Sequence, residues 1–222
     1  MFYIFVIMNS KKKYFVLGTL FILPLVVYMF FASGVNNFVR LPQLSETPID
    51  INKFTTIGGE QLQIKNSISI ISFFGHDMDT TKAFAFNIKE KIYDKNKNFN
   101  DFQFVSFVAP GYEDEISNFK YEINKTSDAY KWKFVALPED KIEEVFNSLG
   151  TNKKLDDDYS SNFAFIIGKD GFLRGRNNDE DEGIKYAYDM SSIADLDKKM
   201  EDDIKVILAE YRLALKKNNE YE

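Results

Sequence analysis

The sequence predicts an α/β domain built on a mixed sheet, carried behind one apolar N-terminal span. Three observations predict it. Apolar runs of the kind buried on both faces alternate with segments of helical periodicity. A late Asp-Gly turn folds one such run back on itself. A charge-free stretch of bilayer length comes before them all.

The span reads YFVLGTLFILPLVVYMFFASG, Tyr14 to Gly34, 21 residues without a charge. As a helix it reaches roughly 30 Å, the thickness of a bilayer core. Pro24 inside it is tolerated better in lipid than in water. Lys11, Lys12 and Lys13 stand just before it and predict a cytoplasmic N-terminus over 1–13, with the rest of the chain sent outward. A cleaved signal peptide is the competing expectation, since Ala32-Ser33-Gly34 is a small-residue site. The apolar run is longer than an ordinary signal core, which favours a retained anchor over 14–34. The opening MFYIFVI is an apolar stub without an evident role, and Met8 begins a more ordinary anchor start.

Asn36 to Lys53 is polar with Pro42 and Pro48, and reads as a tether over 35–53. The domain is expected over 54–217, with a tail over 218–222. In FTTIGGEQLQI, Gly58-Gly59 between two short runs predicts a hairpin. Ser67 to Phe74 is an apolar strand, and Thr80 to Asp94 a helix with Phe84, Ile88 and Ile92 on one face. A second strand spans Phe102 to Val108 and stops at Pro110-Gly111. A helix carrying Ile116, Phe119 and Ile123 follows. A third strand spans Trp132 to Leu137. Pro138 to Leu149 has helix chemistry, with early acids and Gly150 as its stop. Asn162 to Ile167 is the fourth strand, turned by Asp170-Gly171 into FLRGR. The last helix, Ile193 to Lys216, carries one stripe of Ile193, Leu196, Met200, Ile204, Ile207, Leu208, Tyr211 and Leu215. This order of elements is thioredoxin-like.

Composition excludes several functions. The 222 residues hold 28 basic and 34 acidic side chains, a formal net charge of -6, which argues against nucleic acid as a partner. There is no Cys, so a disulfide, a thiol nucleophile and a thiolate metal site are impossible within this sequence.

The chain resembles the Sco/SenC family, membrane-anchored thioredoxin-like factors for cytochrome oxidase assembly. The likeness rests on the anchor-then-domain layout, on SIISFFG before the family's metal-binding loop, and on KWKFVALPEDKIEEVF, Lys131 to Phe146. It rests above all on FIIGKDGFLRGR, Phe165 to Arg176, which is similar to the family's late hairpin. The final helix also corresponds, and the likeness covers most of Phe54 to Lys216. It implies a C-x-x-x-C pair and a His as copper or redox ligands. Those positions fall near Asp77 and Thr81 and at Ser160, so all three ligands are missing. The family's copper and redox activities therefore do not carry over.

The corner GHDMD contains His76, the only His of the chain. Two readings compete there. His76, Asp77, Met78 and Asp79 could form a rebuilt metal site, although adjacent residues seldom all face one ion. Alternatively Asp77, Asp79 and Thr80 cap the helix that follows, and this reading is preferred. Asn177 to Gly183 lacks full calcium-loop spacing and reads as a solvated loop, as does Asp156 to Asp158. Trp132 reads as core.

The expectation is thus a non-enzymatic module without catalytic, cofactor-binding or metal residues and without a cofactor. Its expected place is the inner membrane, with the domain in the periplasm. The resemblance implies a protein partner from an envelope or respiratory complex. The alternative is a metal carrier around His76.

Overall fold

The computed structural model describes residues 10–32, 40–51 and 53–219, with side chains over 12–31, 40–51 and 53–212. The chain divides into two units, 1–39 and 40–222. In the first, α1 (Ser10–Ala32) contains Pro24. Its stretch Lys12–Phe31 is long and apolar enough to cross a membrane, a description that a signal sequence also meets. The helix takes in the lysine cluster that was expected to precede it. The opening stub and the end of the expected span, 33 and 34, lie outside the described residues.

The second unit is built on a six-stranded mixed sheet. Strands β1 (Ile68–Gly75), β2 (Phe102–Val108) and β3 (Trp132–Ala136) are mutually parallel in the order β3-β2-β1. On the other side of β1, β4 (Phe163–Ile167) runs antiparallel, with β5 (Leu173–Arg174) antiparallel beyond it. Two further strands, β6 (Arg176–Asp179) and β7 (Gly183–Lys185), pair with each other, and β8 (Tyr188–Asp189) adds to β4. The Asp170-Gly171 turn closes β4 onto β5 as expected.

Strand alternation divides the apolar residues between two faces. Ile70, Phe74, Phe104, Trp132, Phe134 and Ile166 join one cluster, and Ile71, Phe73, Val105, Phe107, Val135 and Phe165 the other. The first face is covered by α2 (Met78–Ile88), α4 (Glu113–Asn124) and α7 (Glu201–Asn219), the second by α5 (Glu139–Ser148). Trp132 is core, and its indole N–H donates to Ser106 Oγ at 2.9 Å. Between α2 and the short α3 (Asp94–Asn96) lies a π-helical turn, Lys89–Tyr93. A second, Leu196–Met200, separates α6 (Ile193–Asp195) from α7. That extra residue per turn rotates the final stripe. Ile193 is exposed, Leu196, Met200, Ile204 and Ile207 are buried, and Leu208 and Tyr211 are half-buried; the Leu215 side chain lies outside the described residues.

Three other expectations change. The expected tether packs on the domain from residue 40 onward. Leu41, Ile49 and Ile51 are buried, Leu44 N–H donates to Leu173 O at 2.8 Å, and Gly175 N–H donates to Pro42 O at 3.1 Å. The segment thereby forms a strap along β5, with its buried apolar residues placed on the outer sides of the two prolines, Leu41 before Pro42 and Ile49 and Ile51 after Pro48. The Gly58-Gly59 hairpin is a closed turn with one bridge, Thr55 to Gln61, and a backbone bond to the sheet, Ile57 N–H to Phe134 O of β3 at 2.8 Å. Leu62 and Ile64 go into the core instead. The expected loop Asn177 to Gly183 is part of the β6–β7 pair. Asp179 is buried there, accepts the N–H groups of Asp181 and Glu182, and pairs with Lys199 at 2.9 Å.

Candidate functional site

The site is the corner where β1 becomes α2. Because β1, β2 and β3 are parallel, the loops that follow them open at one edge of the sheet. At the end of β1 the pairing slips, from Phe73 opposite Phe107 to Gly75 opposite Val108. Gly75 has φ +51, and a Cβ there would lie 2.2 Å from Asp158 O and 2.5 Å from Ser160 N. The backbone of 158–160 therefore lies directly on Gly75, as only glycine permits. His76 N–H donates to Asp158 O, and Ser161 N–H to Phe73 O, each at 2.9 Å. Tyr159 takes a positive φ of 61 between them.

His76 Nε2 meets Glu139 Oε1, at the start of α5, at 2.9 Å. The two side chains are 36% and 46% exposed, so the pair is open to solvent. The imidazole also stands edge-on to Tyr112 and Tyr159, with ring centroids at 5.8 and 6.4 Å. A backbone N–H bond at its own helix start, and then His76, hold the Glu139 carboxyl below its usual range.

Asp77 is the N-cap of α2, accepting Thr80 N–H at 2.9 Å. Its pKa is lowered by hydrogen bonds from Thr80, side chain first and then backbone. Thr81 hydroxyl donates to Asp77 O, and Met78 is buried in the core. The four residues of the rebuilt-metal reading are thus not brought together. His76 is paired, Asp77 caps, Met78 packs inward and Asp79 is exposed in the first turn of α2. Among the described residues no group of three or more possible ligands gathers anywhere. Of the three positions where the resemblance implies Cys, Cys and His, Asp77 is the N-cap of α2 and Thr81 bonds back to it one turn on, while Ser160 lies against Gly75.

The residues that sequence reasoning missed are Glu139, Tyr112 and Tyr159. The signal for Glu139 was available: it opens a helix after a strand parallel to the one before His76. Beyond Tyr159 a cleft of about 390 Å³ runs between α5 and the 153–159 loop, with Glu143, Phe146, Asn147 and Leu155 among its walls. The arrangement offers a hydrogen-bonded imidazole–carboxylate pair, two aromatic faces and an adjoining cleft. Such a surface can hold a polar or aromatic group of another molecule.

Three solved structures share the architecture. BsSco, a member of the Sco family of cytochrome c oxidase assembly proteins, superposes with a TM-score of 0.50 at 15% identity, over 75% of this chain and 94% of that one. The fold is thioredoxin-like. A candidate protein disulfide isomerase of Bacteroides thetaiotaomicron gives a TM-score of 0.52 at 12% identity, over 77% of this chain and 95% of its own. A candidate electron-transfer protein of Aquifex aeolicus VF5 gives 0.50 at 12%, over 74% and 92%. Neither a protein-family profile nor a curated protein sequence matches the chain. The chain has the thioredoxin-like fold of Sco proteins without a cysteine in its sequence.

Proposed function

We propose that the chain is a membrane-anchored, non-catalytic binding module whose domain faces the periplasm and serves the assembly of an envelope or respiratory complex. The observation that carries this reading is the corner itself. The scaffold of a ligand site is kept, with Gly75 under the 158–160 backbone, while the ligand positions hold Asp77, Thr81 and Ser160. Each of those is engaged inside the fold, as cap, as helix hydrogen bond or as buried loop residue. What faces solvent is His76, Glu139, Tyr112 and Tyr159, a surface suited to contact. The likeness to a Sco structure supports the class of partner, and the lysines in the first turn of α1 support the orientation.

The test uses the full chain in its own membranes. A photo-crosslinking residue at Tyr159 is expected to yield an adduct with a respiratory or envelope membrane protein, and one at Lys205 on the opposite helix is expected not to. A reporter fused after Glu222 is expected to be active only outside the cytoplasm. Equal adducts at both positions, or a cytoplasmic reporter, would remove the reading. The metal-carrier alternative predicts stoichiometric metal binding lost in His76→Ala. The spent Asp77 carboxylate and the buried Met78 speak against it.

A further inference from the structure

The cleft beside the corner has rim charges that the ion pairs of the fold leave aside. Its apolar surface is half-buried Leu155 and Tyr159, packed against the second core cluster, with Phe146 buried in that cluster behind them. On its rim Glu143, Lys154, Asp156 and Asp157 enter no ion pair among the described residues. The nearby lysines differ. Lys53 and Lys141 are held by Glu144, and Lys153, which also lines the cleft, is turned to Glu182 at 2.7 Å and over the Phe163 ring.

We propose that this cleft receives a basic side chain, Arg or Lys, carried on an extended segment of a polypeptide partner. The inference deepens the binding-module reading and rests on it. Three unpaired carboxylates against one unpaired ammonium leave the rim net negative, which selects a cation. Half-buried Leu155 and Tyr159 suit the methylene stem of a long basic side chain, whose charge then meets the acidic rim. A volume of about 390 Å³ accommodates one or two such side chains, near the lower end of ligand sites. Tyr159 lines the cleft and also stands beside His76, so a bound segment has a path onto the exposed corner.

The experiment measures fluorescence anisotropy of a labelled, amidated peptide Ala-Arg-Ala-Arg-Ala on the full chain in detergent micelles at low salt. Its counterpart with Glu in place of Arg is the comparison. The Arg peptide is expected to bind and the Glu peptide not. The exposed pair Asp156→Asn with Asp157→Asn is expected to weaken binding about fivefold, as loss of two solvent-facing charge contacts does. Asp114→Asn with Glu115→Gln on α4 changes the net charge equally and is expected to leave binding unchanged. Equal weakening by both pairs, or equal binding of the two peptides, would overturn the proposal. So would displacement of the Arg peptide by spermidine at equal concentration, which would make this a small-amine site. If peptides are inert while the Tyr159 adduct persists, the cleft assignment fails and the module reading stands. If peptides bind and no adduct forms, the reverse holds.

Discussion

At Gly75 one hydrogen atom separates a closed corner from a broken one. A methyl group there would meet backbone on both sides of Tyr159, so no rotamer can relieve it. Gly75→Ala is expected to cost about 2–4 kcal/mol, read by chemical denaturation, with the Tyr159 conformation lost in the same step. His76→Ala is the contrast. Its pair with Glu139 is half-exposed, and the expected loss is within about 1 kcal/mol. Asp77 lies between these limits: removing the cap with Ala is expected to cost about 1 kcal/mol. The cap was legible from the sequence because it is local, an Asp three residues before the N–H that it accepts. The His76–Glu139 contact spans 63 positions and depends on the parallel order of β1, β2 and β3, which no local pattern near His76 encodes.

The final helix shows how far periodicity reaches. A stripe at helical spacing was legible, and four of its members are buried. Its two ends were not placed by the pattern, because the π-helical turn at Leu196–Met200 inserts a residue and turns Ile193 to solvent. The stability cost should follow the observed burial. Ile204→Ala is expected to cost about 3–4 kcal/mol, half-buried Leu208→Ala only about 1–2, and exposed Lys205→Ala under about 0.5. Equal losses at Ile204 and Leu208 would contradict their observed difference in burial. The helix also carries Asp203, buried, which takes Arg176 Nε at 2.7 Å and the hydroxyl of buried Tyr188. This contact ties α7 to β6, which sequence reasoning read as loop from Asn177 onward, and to β8, for which it offered no element. These strands, RNND and YD, are four residues or fewer and mostly polar, so they carry no apolar alternation to read. Asp203→Ala leaves the guanidinium and the phenol without their partner, and about 3 kcal/mol should be lost.

For the molecule as a whole, pH is a lever through several carboxylates. Glu144 is held down to about 2 by Lys141 and then Lys53, and Asp77 and Glu139 are lowered as well. A depressed carboxylate adds stability that is complete above its unfolded pKa and disappears as pH falls through the folded one. Melting temperature is therefore expected to be flat near neutrality and to fall from about pH 4.5 downward. A melting temperature that rises over that range would contradict the pairing. Chelator and reductant are expected to leave the melt unchanged. The sequence showed the succession of strands and helices along the chain and the sheet class because buried strands read as apolar runs. It hid the strap, because a polar segment with two prolines and isolated apolar residues has the composition of a linker, and only the fold shows that Leu41 enters one core cluster and Ile49 and Ile51 the other. A chain begun at Phe54 is expected to be markedly less stable than one begun at Arg40. The strap has one more consequence. Along β5 it occupies the hydrogen-bonding positions Leu173 O and Gly175 N–H, and it does so with a segment that contains two prolines. Without it the sheet would end in an open edge that offers a template to the same edge of another copy. In that sense the residues that look like a leader to the domain act as its guard against self-association at high concentration.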